Sequence, residues 1–107
     1  MSIYYSNMQQ VEAYRLPKLF QVGSYIVYFW SNENTEPIHV HVGVGKPTQN
    51  STKIWITSNG GCVVASNDSR IPIQDLNQLL EVIAAQFDLI CSKWKSHFCI
   101  DEINFFC

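Results

Sequence analysis

Apolar residues run almost unbroken through residues 19–30, LFQVGSYIVYFW, with β-branched and aromatic side chains dominating and Gly23-Ser24 as a turn signal inside. Such a run predicts a β-hairpin feeding a central strand that is buried on both faces for part of its length. Residues 31–37 end it, because Pro37 lacks an amide donor and restricts Glu36 before it. Residues 38–44 read as the next strand, followed by a polar loop over 45–51. In the strand predicted over 52–57, Lys53, Trp55 and Thr57 share one side while Ile54 and Ile56 share the other. Asn59-Gly60-Gly61 then signals a turn into a short strand over 62–66. Short turns between successive strands favour an antiparallel meander.

The period changes after Pro72. Leu76, Leu79, Leu80, Ile83, Phe87, Ile90, Trp94 and Phe98 recur at three- or four-residue intervals, which places them along one helical stripe. Pro72 suits the first turn, Asp75 and Glu81 lie early, and Lys93 and Lys95 lie late, as the helix dipole favours. The stripe predicts one helix over 73–98, roughly 39 Å long at ~1.5 Å per residue and longer than a small sheet needs. The fold class is therefore α+β: a mainly antiparallel three- or four-stranded sheet packed against one long C-terminal helix. Either Val27 and Phe29 or the alternating Ile26, Tyr28 and Trp30 should meet that helix. Residues 1–14 read as an N-terminal extension, 15–98 as the compact domain, and 99–107 as an apolar C-terminal segment.

Length and composition narrow the partners. A chain of 107 residues suggests one domain. Its formal charge of -2 predicts no general attraction to phosphate backbones or anionic membranes. No run approaches the ~20 apolar residues that span a bilayer, and the first residues do not read as a secretory signal. The expected location is cytoplasmic, with Cys62, Cys91, Cys99 and Cys107 as reduced thiols. Ile100, Ile103, Phe105 and Phe106 make the last segment too apolar for a free tail, so residues 99–107 are expected to contribute to a homodimer contact, with docking on the same chain as the alternative.

The candidate chemistry lies in EPIHVHV, residues 36–42. On a strand His39 and His41 point to the same face, with backbone positions about 6.6 Å apart. The plainest reading puts both rings on the half-solvated edge of a strand, hydrogen-bonded to nearby Asn, Thr or Glu groups and orienting a turn without catalysis; three uses of the pair compete with it. A metal could recruit both rings, but two ligands leave a zinc site incomplete, and His97 lies off the centre of the helix stripe; no metal or cofactor is assigned. As an acid and base, His39 and His41 could serve a phosphoester hydrolase or nuclease, with Lys46, Lys53 or Arg70 steadying negative charge. As a polar ridge beside Trp55, they would suit recognition of a protein partner. The glycines around Lys46 lack phosphate-loop spacing, since Pro47 follows where a helix should start. Lys93, Lys95 and His97 around Trp94 give a weaker signal for nucleic-acid contact.

GSYIVYFWSNE over 23–33, EPIHVHV over 36–42, Lys53-Ile54-Trp55 and Trp94 together resemble the bacterial DUF4160 family of small uncharacterised proteins over approximately residues 15–98. Pro37, His39 and His41 match the motif's proline and paired histidines, Trp55 lies in the following strand, and Trp94 matches the helix tryptophan. The resemblance implies a strand-rich front half followed by a helix, with links to toxin-antitoxin-like or mobile genetic modules and no defined reaction. The chain departs from the family in its longer 43–52 loop and its aromatic terminal extensions, where partner-specific surfaces would arise. The resulting expectation is a cytoplasmic protein-interaction or regulatory module, possible as toxin-antitoxin-like or defence-associated, using His39, His41, Trp55, Lys46 and Arg70 for binding. The competing expectation is the histidine-dependent hydrolase or nuclease, with His39 and His41 catalytic.

Overall fold

The computed structural model describes residues 18–31, 33 and 35–107, so the expected 1–14 extension lies outside the described residues. Five strands follow in order: β1 (Lys18–Val22), β2 (Tyr25–Tyr28), β3 (His39–Val44), β4 (Thr52–Ile56) and β5 (Cys62–Asn67). They form one antiparallel sheet in sequential order β1-β2-β3-β4-β5. The sheet thus exceeds the expected three or four strands, because the 18–28 hairpin contributes both of its arms. Gly23 makes its turn at φ 58, a conformation that a side chain would strain.

The long helix is two helices. α1 (Ile73–Ala85) and α2 (Phe87–Phe98) meet at Gln86, whose backbone leaves the helical region at φ -101 and ψ 21. The amide of Gln86 is shared between the carbonyls of Val82 and Ile83, and α2 restarts with Ile90 N donating to Gln86 O at 2.9 Å. Neither proline nor glycine marks the joint, and the apolar spacing runs straight through it. The break shortens the rod that the sequence predicts and lets Ile90 and Trp94 pack against a small sheet.

Alternation along the strands sorts the two sheet faces. Val27, Phe29, Val40, Val42, Ile54 and Ile56 pack with Leu76, Leu79, Ile83, Ile90 and Trp94 in one core. Of the two expected helix-facing sets, Val27 and Phe29 are the one used. The opposite face carries Tyr28, His41 and Lys53 in cross-strand register, with His39 opposite Trp55.

The C-terminal segment docks on its own chain. Cys99 ends α2 in the left-handed region at φ 55, and Ile100 N donates back to Lys95 O. Ile38 N then donates to Asn104 O at 2.8 Å and Ser58 N to Cys107 O at 2.9 Å, while Ile100, Ile103 and Phe105 pack on the core. Among the described residues no helix is long and apolar enough to cross a membrane.

Candidate metal centre

β3 places His39 and His41 on one face with ring centroids 5.0 Å apart. The loop between β2 and β3 folds back over them. Pro37 stops the ladder, a turn closes from Glu36 N to Glu33 O at 3.2 Å, and the Trp30 amide donates to Glu33 Oε1 at 2.9 Å. This brings the Glu33 carboxylate against both imidazoles: its Oε1 lies 3.0 Å from His39 Nε2 and its Oε2 lies 2.8 Å from His41 Nε2. One donor atom from each of Glu33, His39 and His41 falls within 4.8 Å of the others.

The far sides of the two rings are anchored. His39 Nδ1 meets Pro37 O at 2.8 Å, and since a carbonyl only accepts, Nδ1 carries the proton. His41 Nδ1 meets Ser51 Oγ at 2.8 Å, a hydroxyl that can donate or accept. Aromatic rings wall the pair: Tyr28 stacks on His41 at 5.6 Å, while Trp55 and Trp94 stand edgewise to His39 at 5.6 and 5.5 Å.

His39 is fully buried, and its Nε2 has no hydrogen-bond partner among the described residues. Its 3.0 Å approach to Glu33 is an ion-pair distance without hydrogen-bond direction. The neutral ring would aim a lone pair at a carboxylate oxygen, an unfavourable encounter that either a proton or a cation on Nε2 relieves. Burial raises the Glu33 carboxyl, but the two imidazoles beside it outweigh that effect and bring it to about 2.

The spacing suits a first-row divalent ion. Ligands ~2.1 Å from a metal are about 3.0 Å apart at right angles and about 3.4 Å apart in a tetrahedron. Measured from Glu33 Oε1 alone, the separations are 3.0 Å to His39 Nε2 and 3.2 Å to His41 Nε2, which fall between those two spacings. A set of two histidines and one carboxylate leaves positions for water and substrate. The Pro37 carbonyl and Ser51 hydroxyl are the outer partners that orient ligating imidazoles.

The sequence supplied the pair but missed the third donor. Glu33 stands in the loop six positions before His39 and four before Pro37, and nothing in its local spacing separates it from Glu36. His97, the third ligand weighed from sequence, instead lies exposed with its ring against Phe29 and Phe98. Trp55 does neighbour His39. Lys46 is exposed in the β3–β4 loop and Arg70 in the turn before α1, and no hydrogen bond or ion pair among the described residues ties either to the imidazoles. The imidazoles lie inside the protein rather than along an exposed ridge. Trp94 is also buried, so it offers no face on which a nucleic-acid base can stack.

The family described as "Domain of unknown function (DUF4160)" matches residues 24–95, a span that contains Glu33, His39, His41, Trp55 and Trp94. No curated protein and no solved structure matches the chain.

Proposed function

The chain belongs to the DUF4160 family, whose description assigns no activity, and we propose from its site that it is a small metal-dependent hydrolase acting on a phosphoester. The observation that carries this reading is His39 Nε2, buried without a hydrogen bond among the described residues and facing Glu33 and His41. A buried nitrogen of this kind costs stability unless something binds it. Glu33, His39 and His41 would hold a divalent ion through one carboxylate oxygen and two Nε2 atoms.

Charge points to the substrate class. A divalent ion held by Glu33, His39 and His41 would keep a net positive charge beside a single carboxylate, the chemistry that would favour an anionic phosphoryl oxygen. Solvent reaches the donors on the Glu33 and His41 side, where the side chains keep 13% and 10% exposure. Burial of Tyr28 and His39 excludes bulk water from the other side.

Hydrolysis of a chromogenic phosphodiester by the full chain, assayed with zinc or manganese added, tests this reading. The expected result is turnover that depends on metal and falls at least ~100-fold in His39→Ala and Glu33→Gln. Equal turnover in wild type and both variants would contradict it.

A further inference from the structure

The turn that carries Glu33 inward carries a second carboxylate outward. Glu36 reaches across to β4, where its Oε1 meets Lys53 Nζ at 2.5 Å. Lys53 is the cross-strand partner of His41, so the two side chains leave the same sheet face with Cβ atoms about 5 Å apart. The Lys53 ammonium also sits over the Trp55 ring, 4.5 Å from its centroid. Trp55 is itself fixed, standing edgewise to His39 and stacked on Phe106 at 4.8 Å and 9°.

These contacts hold the Lys53 cation in place without burying it. Its side chain keeps 24% exposure and that of Glu36 keeps 42%. Ion pairs this open contribute little to stability, because water and salt screen them. Inorganic phosphate or a phosphate monoester offers more acceptor oxygens and more charge than a carboxylate, and so competes well for charge-assisted hydrogen bonds to an ammonium. A lysine steadied on an indole face loses less freedom when such an anion arrives.

We infer that Lys53 is an anion-binding residue that receives a phosphoryl oxygen beside the Glu33, His39 and His41 centre, and that Glu36 occupies this position until the substrate displaces it. The inference rests on the hydrolase reading for what lies next to Lys53, and it adds a specific cation and a competing carboxylate to that reading. The 31–37 loop then serves two purposes: Glu33 completes the inner site, and Glu36 closes the outer one. Lys53 binds and positions in this account and transfers no proton.

The two partners of one ion pair should have opposite effects on ligand binding. Binding of inorganic phosphate and of phenyl phosphate is measured by calorimetry on the full chain, with and without zinc, for wild type, Lys53→Ala and Glu36→Gln. Lys53→Ala should weaken phosphate about tenfold or more, whereas Glu36→Gln should tighten it several-fold by removing the competitor. Zinc affinity should change little in either variant. A purely structural ion pair would lower the melting temperature in both variants and leave phosphate affinity unmoved or shifted the same way; either result overturns the inference. If zinc binds while the opposite shifts are missing, the anion site fails and the metal centre stands. If the opposite shifts persist and zinc does not bind, Lys53 keeps its role and the hydrolase reading fails.

Discussion

Glu33 Oε1 stands 3.0 Å from His39 Nε2, and yet that nitrogen has no hydrogen bond among the described residues. The His39 Nδ1–H donates to the Pro37 carbonyl, so Nε2 is left facing the carboxylate from inside the protein. This relationship sets the chemistry of the site. It also makes Glu33 the residue whose replacement is most informative.

Because the folded Glu33 carboxyl titrates at about 2 against its ordinary 4.5, its ionised form is favoured by folding. The stabilisation is fully present above about pH 4.5 and is lost as pH falls towards about 2. Glu33→Gln should therefore be less stable than wild type above about pH 4.5, with the gap closing on acidification. Urea denaturation of both proteins between pH 7 and pH 2 measures it, and a gap that does not change with pH would count against the account.

Ile83 lies fully buried in α1 beneath the sheet. Ile83→Asp places a charge there with no partner and should destabilise the fold by several kcal/mol. Near-wild-type thermal melting of that variant would remove the packing assigned to this helix.

Much of that core was legible in the sequence. Alternation placed Ile54 and Ile56 opposite Lys53 and Trp55, and the helical spacing found Leu76, Ile83, Ile90 and Trp94. The Gln86 joint was not legible, because the steps from Ile83 to Phe87 and on to Ile90 keep the period of an unbroken helix. Glu33 was missed for a different reason: its place beside His39 and His41 depends on a loop folding back over the sheet, a tertiary event with no periodic signature. The alternation rule gave the shared face of the imidazoles but said nothing of what covered them.

Ser51 Oγ can accept from His41 Nδ1 when Nε2 binds a cation, and can donate to it when Nε2 carries the proton. Ser51→Ala should leave the fold intact and lower metal affinity by about 10- to 100-fold. Competition against a chromogenic zinc chelator reads the change; unaltered affinity would mean that His41 needs no outer partner.

The apolar tail is already engaged within the chain, through Asn104 to Ile38 and Cys107 to Ser58. Truncation after residue 98 should therefore lower stability, uncover Trp55 and leave the oligomeric state unchanged. Sedimentation velocity at several concentrations, together with thermal melts, checks both parts. A full-length dimer that becomes a folded monomer on truncation would show instead that residues 99–107 join two copies.

The central claim is that Glu33, His39 and His41 form one metal centre, and cobalt(II) titration of the full chain at neutral pH tests it most directly through the visible absorption of the bound ion. The account predicts saturation at one ion per chain, loss of the bands in His39→Ala and His41→Ala, and their retention when Cys62, Cys91, Cys99 and Cys107 are all replaced by Ser. Absence of saturable binding, or bands that survive loss of the histidines and vanish with the cysteines, would contradict it.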